Sequence, residues 1–291
     1  MTYSTRRHFI AGAAALLAAP AVLSAQQLPR VATLDWALLE TLLAIGANVV
    51  AGTELRQFRQ VAVAPDVPAS VSDLGLRGTP NFEAMRFARP DLIFNSNFYA
   101  WADNLMSRIA PVVSHAIYEP NESPFVLAEA AALAIGDRLK LPAAEQLRDT
   151  LSEKLERYRA VFAGGDGRPV IPINLGDARH YRVFGADSMF GEVLKRVGLA
   201  NAWSGATSYS AMAPVGIETL AAVPEAWIVM IPPQPEDALA ALKTSAFWNA
   251  LPAVRQGRVL TLGSINPYGA LPAAMRFADL LAEGLTRAWN G

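Results

Sequence analysis

The 291-residue chain has no cysteine, which removes disulfides, thiolate-bound zinc, iron–sulfur clusters, thiol nucleophiles and a lipid-modified N-terminal Cys from consideration. Histidine is nearly as scarce, with three in all. His8 sits in an N-terminal leader pattern, so only His115 and His180 remain, too few for the three or four imidazoles of a direct zinc or manganese site. A surplus of positive charge is also missing: 25 Lys+Arg stand against 26 Asp+Glu. Polyanion recognition needs such a surplus on one face, so nucleic acid is not an expected partner. Beyond the leader no run of 18 apolar residues occurs, and a membrane-embedded protein is not expected.

Catalytic signatures are lacking as well. There is no Gly-x-Ser-x-Gly elbow, no His-Glu-x-x-His and no phosphate loop. Gly164-Gly165-Asp166-Gly167-Arg168-Pro169 has the glycines of a phosphate loop, but Pro169 removes a backbone donor where an anion would bind. It reads as a linker. His115 ends an apolar strand pattern and reads as structural. A Ser-His-Asp triad can assemble in space without a local signature, so an exported hydrolase stands as a remote alternative to a non-enzymatic protein.

What the chain does have is apolar mass, 52% of its residues, enough for one large or two modest cores and too much for disorder. Its first 25 residues read as a cleaved export signal: Thr5-Arg6-Arg7-His8-Phe9-Ile10, then an Ala- and Leu-rich run from Ala11 to Leu23. That run makes about 20 Å of helix against roughly 30 Å of bilayer hydrocarbon, so it suits export better than anchoring. The Arg pair before Phe9 resembles the twin-arginine signal, with an ordinary secretory leader as the alternative. Cleavage is expected near Ala25, with Ala19-Pro20-Ala21 as a competing site. Losing Arg6 and Arg7 makes the mature chain two charges more acidic than the formal −1.

After the leader, short β-rich runs alternate with helical patterns: Val31 to Leu34, then Trp36 to Leu43; Asn81 to Ala88, then Asp91 to Phe94. This predicts an α/β fold with mainly parallel sheets. From Pro142 to Phe162 the apolar residues Leu147, Leu151, Leu155, Tyr158 and Phe162 fall on one face of a single long helix. A second series follows from Val170, closing with a helix from Pro272 to Trp289. The expected division is an N-terminal lobe over 26–141, an interlobe helix over 142–163 and a C-terminal lobe over 164–291. Two stretches share one plan, Pro80 to Phe94 and Val215 to Val229: a short helix with an early Glu (Glu83, Glu218), a Pro that ends it, then an apolar strand. They suggest two similar lobes. A helix of about 20 residues is roughly 30 Å long and stiff, so lobes joined by it should move little.

Binding chemistry gathers on loops. Leu74-Gly75-Leu76-Arg77-Gly78-Thr79-Pro80 sets an Arg between glycines. Asn95-Ser96-Asn97-Phe98-Tyr99-Ala100-Trp101 follows an apolar strand at its carboxyl end, the edge where open α/β sheets bind ligands. Trp203 to Ser210, which includes Tyr209, and Asn266-Pro267-Tyr268-Gly269 add aromatics in the second half. Together they predict a cleft with aromatic walls and a guanidinium, suited to a bulky ligand with anionic oxygens.

At these residues the chain resembles the periplasmic iron(III)-hydroxamate binding proteins of bacterial ABC importers, of the ferrichrome-binding type. The resemblance runs from about Arg30 to the last helix. Its strongest stretches are Asp73 to Arg77 with Pro80 to Glu83, Arg108 to Pro111, Asp177 to His180 with Val183 to Gly185, Asn201 to Gly205, and Tyr268 to Ala270. The resemblance implies two α/β lobes on a long rigid helix and a shallow cleft that takes a ferric siderophore to an inner-membrane permease. It also implies a periplasmic monomer that needs no cofactor and no protein ligand on the metal, since the chelator already satisfies the iron. Arg77 and Tyr99 match the family residues that hydrogen-bond the iron-coordinating oxygens, and Glu83 and Glu218 match the acidic residues, one per lobe, that dock on the permease. Tyr209, Tyr268 and nearby Trp101 keep aromatic character at the cleft. Val61, Ser210 and Asn266 stand where the ferrichrome binder has tryptophans, which points to a differently shaped hydroxamate or mixed carboxylate–hydroxamate chelate. Arg56, Arg59, Arg179 and His180 could add positive charge if they face the cleft. A haem or corrinoid binder of the same fold is the nearest alternative.

Overall fold

The computed structural model describes residues 27–207 and 211–290. The expected export signal over 1–25, and the expected ligand residues Tyr209 and Ser210, lie outside the described residues.

The first half opens with β1 (Arg30–Thr33), α1 (Trp36–Ala44), β2 (Asn48–Gly52), α2 (Leu55–Val61) and β3 (Ser72–Asp73). It continues through α3 (Phe82–Ala88), β4 (Leu92–Asn95), a 3-10 helix (Asn97–Ala102), α4 (Asp103–Met106), β5 (Val112–Ser114) and α5 (Pro124–Leu139). Its five strands lie in the order β3-β2-β1-β4-β5, every neighbour parallel. Asp35 starts α1 as its N-cap, its side chain accepting from the amides of Ala37 and Leu38 at 2.7 and 3.0 Å, the bond that satisfies otherwise orphaned donors of a first helical turn.

The long helix α6 (Ala143–Ala163) follows. Leu151, Leu155 and Phe162 of its predicted stripe are buried, each such side chain contributing about 1.5–3 kcal/mol. The second half then holds β6 (Val170–Leu175), β7 (His180–Val183), α7 (Met189–Arg196), β8 (Met212–Gly216) and a 3-10 helix (Ile217–Ala222). It ends with β9 (Trp227–Met230), α8 (Glu236–Thr244), α9 (Ala246–Ala250), α10 (Pro252–Arg255), β10 (Val259–Thr261) and α11 (Leu271–Asn290).

The second sheet, β10-β9-β6-β7-β8, is parallel on its β10-β9-β6 side and antiparallel at β7 and β8. Only the short turn 176–179 separates β6 from β7, which suffices for a hairpin and is far too short for a parallel crossover. In both halves the strand after the Glu-bearing helix, β4 or β9, pairs in parallel with the first strand of its half. The two helices differ: Glu83 is in an α-helix and Glu218 in a 3-10 turn.

One hydrophobic core spans both halves, drawing on α1, α5, α6, α7 and α11. α11 binds α6 through Asp279, which accepts from Lys154 Nζ at 2.8 Å and from the Tyr158 hydroxyl at 2.6 Å. A Cβ on Gly165 would overlap the Trp289 ring, so glycine is needed where the linker passes under the last turn of α11. Smaller cores lie beneath each sheet. Among the described residues no helix is long and apolar enough to cross a membrane.

Candidate functional site

A cavity of about 290 Å³ opens between the carboxyl ends of the first-sheet strands and the loop that precedes α11. It is lined by Asp35, Trp36, Ala37, Arg77, Phe98, Tyr99, Asn266 and Tyr268. Three loops of the first half converge there: the turn after β1, the segment after β3 and the 3-10 turn after β4.

Arg77 is held from three sides. Its Nε donates to Glu54 Oε2 at 2.8 Å, and its own backbone N–H donates to Glu54 Oε1 at 3.0 Å. Its guanidinium lies over the Trp36 ring, 4.1 Å from the centroid, within the range of a cation–π contact. Trp36 is fixed in turn by its indole N–H donating to Thr53 O at 2.9 Å and by an edge-on contact with Phe58. The hydrogen bond to the carboxylate uses Nε, and among the described residues neither Nη donates to a carboxylate. The result is an oriented fork whose rotamer entropy is already spent.

Asp35 lies behind this fork, buried, with Oδ2 accepting from the Ser96 hydroxyl at 2.6 Å. Desolvation pushes its carboxyl above the usual range, opposed by Ser96, the two capping amides and Arg77. Burial, then the nearby Asp35 charge, raises the Tyr99 phenol, with Arg77 opposing. Tyr99 therefore stays neutral and keeps its O–H as a donor.

The other wall comes from the 266–270 loop. Asn266 is buried, its Nδ2 donating to Glu40 Oε1 at 2.7 Å while its Oδ1 accepts from the Tyr268 amide at 3.2 Å. Glu40 Oε2 accepts from the Ala270 amide at 3.2 Å. Tyr118 of the first half donates its hydroxyl to Gly269 O at 2.6 Å. A Cβ at Gly269 would stand 2.5 Å from Glu40 Oε2, so only glycine allows this close approach. The loop is thus bracketed to the first half by one carboxyl and one phenol. Burial raises the Glu40 carboxyl to about 8, against the hydrogen bonds from Asn266 and Ala270. Edge-to-face and tilted contacts link Phe98, Tyr118 and Tyr268 into an aromatic wall across both halves.

Of the residues expected from sequence, Arg77, Tyr99, Asn266 and Tyr268 meet in this cavity. Trp101 does not line it: it shares the 3-10 turn with Tyr99, and 53% of it is exposed. Val61 packs against the main core. Arg56, Arg59, Arg179 and His180 do not line the cavity, and His180 faces Asp177 at 3.0 Å. Glu83 borders a separate surface cavity with Phe87 and Leu105. Glu218 is exposed and folds back over Gly216. Asp35, Trp36 and Glu54 were not expected at the site, and Phe98 was expected only as part of its loop. Trp36 and Phe98 flank strand ends at the ligand edge of the sheet, a signal present in the sequence. Glu54 gives none. Among the described residues no group of three or more His, Asp or Glu could hold a metal ion.

Residues 31–265 match the family model described as periplasmic binding protein. The iron(3+)-hydroxamate-binding protein FhuD of Escherichia coli (strain K12) is 30% identical over 257 residues, covering 88% of this chain and 86% of that protein. The crystal structure of the siderophore-binding protein FhuD from Vibrio cholerae with bound Fe3+–Desferal superposes with a TM-score of 0.84 at 24% identity, over 89% of this chain and 98% of that one. FhuD2 from Staphylococcus aureus with bound ferrioxamine B gives 0.68 at 19% identity, over 89% and 99%.

Proposed function

Because the chain belongs to the periplasmic binding protein family, we propose that its cavity captures a ferric siderophore of the hydroxamate class and hands it to an inner-membrane ABC permease. The protein is a carrier rather than an enzyme, and the periplasm is its place of work.

The observation that carries this reading is the preset Arg77 fork over Trp36, beside a neutral Tyr99. Hydroxamate oxygens keep partial negative charge after coordinating iron(III). A guanidinium and a phenol O–H can read that charge by charge-assisted hydrogen bonds without touching the metal. The Arg77 charge is balanced by Glu54, which suits the overall neutral core of a ferric trishydroxamate. Trp36, Phe98 and Tyr268 supply apolar walls for the linkers between hydroxamates, with Asn266 as a polar floor. Trp101 belongs to the rim in this reading, and Tyr209 and Ser210 are kept as proposed ligand contacts. Glu83 and Glu218, one per half, are the permease contacts.

The bracket of Glu40 and Tyr118 on the 266–270 loop, together with the shared core on α6 and α11, supports a largely preformed cleft, in which little binding energy is spent on ordering. The lobes are assigned to 26–141 and 164–291 with the helix over 142–163 between them.

The test is a titration of intrinsic Trp fluorescence with ferrioxamine B, metal-free desferrioxamine B, haemin and cyanocobalamin. Saturable quenching by ferrioxamine B, with weaker response to the metal-free form, is expected. Tight binding of haemin or the corrinoid with none of ferrioxamine B overturns the reading.

A further inference from the structure

A second guanidinium stands beside the cavity without a counter-charge. Arg182 projects from β7 opposite Asn174 of β6, and its Nη1 donates to Asn174 Oδ1 at 3.3 Å. Asn174 cannot turn away, because its Nδ2 is fixed by Ile231 O at 2.7 Å and Pro233 O at 2.8 Å. The guanidinium carbon lies 5.9 Å from the centroid of the Tyr268 ring, and Tyr268 lines the cavity.

Arg182 differs from the arginines that are paired or spent elsewhere in the fold, and from exposed unpaired ones such as Arg56 and Arg179, in standing half-buried beside a residue that lines the cavity. Arg77, Arg168, Arg196 and Arg287 each meet a carboxylate, and Arg258 is spent on the backbone carbonyls of Ala226 and Pro224. No carboxylate among the described residues lies within ion-pair distance of Arg182. The nearest acid along its own hairpin, Asp177, is engaged by His180. A half-buried guanidinium beside a neutral amide and an aromatic ring, with no carboxylate to engage it, keeps most of its donors, as an anion receptor requires.

We propose that Arg182, beside Tyr268, is a specificity-determining residue that receives a carboxylate pendant from the bound chelate. This rests on the siderophore reading and adds to it: Arg77 and Tyr99 grip the neutral iron–oxygen core, while Arg182 sorts chelates by the charge of an arm that takes no part in coordinating iron. Val183 and Tyr181 on either side face the core of the second sheet, so the strand fixes which way Arg182 points.

Three ferric chelates with one trishydroxamate core test this: ferrioxamine B with its free terminal amine, its N-acetyl derivative and its N-succinyl derivative, giving a cationic, a neutral and an anionic arm. The wild type should bind the succinyl form about tenfold or more tightly than the acetyl form, the scale of one charge-assisted hydrogen bond. The free amine should bind most weakly. Arg182→Gln should abolish the preference while leaving the acetyl affinity within about twofold, and Arg182→Lys should keep part of it at low salt. Equal affinities across the series in the wild type, or a preference that survives in Arg182→Gln, overturn the proposal while leaving the siderophore reading intact. No binding of any of the three by the wild type overturns both. The wild-type series decides the matter even if a variant folds poorly.

Discussion

Replacing Arg77 by alanine removes two effects from the cavity, and the structure separates them. The first is the loss of donors to the chelate oxygens, worth about 1.5–3 kcal/mol for a charged group, discounted toward the low end because 34% of the Arg77 side chain is exposed. The second comes from Glu54, whose side chain is only 13% exposed. It keeps the backbone N–H of residue 77 but loses Nε, so a poorly solvated carboxylate is left facing anionic oxygens. Together these predict a loss of about 2–3 kcal/mol, or roughly 30- to 150-fold in Kd for ferrioxamine B. In a Glu54→Gln background the second effect is absent, and the same Arg77→Ala change should cost about 1–2 kcal/mol. The four proteins form a double-mutant cycle with an expected coupling of about 1 kcal/mol. Fluorescence titration reads all four; the reporter Trp36 lies directly beneath the guanidinium. An Arg77→Ala protein with unchanged affinity would refute the grip on the chelate. A cycle with no coupling would refute the role given to Glu54.

Two further outcomes are expected. Glu40 has a folded-state pKa of about 8, above its unfolded value, so the native state holds a proton that the unfolded chain has released between about pH 4.5 and pH 8. Stability from this group is therefore full below about pH 4.5 and is lost as pH rises to about 8, at up to ~1.4 kcal/mol per pH unit. Urea unfolding at pH 5 and pH 7 should show the wild type losing up to ~3 kcal/mol relative to Glu40→Gln, and parallel losses in the two proteins would contradict this. The pair Glu83→Ala with Glu218→Ala should leave ferrioxamine B affinity within about twofold while iron uptake by cells drops several-fold, and undiminished uptake would remove both residues from the permease interface.

Much of the architecture could be read from periodicity. The stripe Leu151, Leu155, Phe162 located α6, and the apolar strands that close the stretches Pro80 to Phe94 and Val215 to Val229 located β4 and β9 to within a residue or two. These are local patterns, set by burial on one face. The antiparallel β7 and β8 were not distinguished, since strand direction depends on pairing and leaves no periodic mark. At the cavity, Arg77, Tyr99 and Tyr268 stood on glycine-marked or strand-end loops. The residues that hold them did not stand out. Glu40 sits inside an apolar helix and meets Asn266, 226 positions away; Glu54 reaches Arg77 across 23. Arg182 is hidden by the strand pattern around it. A side chain's partner is a property of three-dimensional closure, and one sequence read along its length carries no trace of it.

The path of α11 has a consequence for engineering. Having come last in the chain, it returns to share a core with α1, near the beginning, and the loop leading into it is pinned by Glu40 and Tyr118. The molecule is therefore not a pair of separable cassettes. A fragment ending within the 164–167 linker would expose the apolar side of α1 to water, and its complement would carry an orphaned helix. A biosensor made by cutting there would regain its binding surface only when both pieces find each other, so reassembly itself becomes the readable signal.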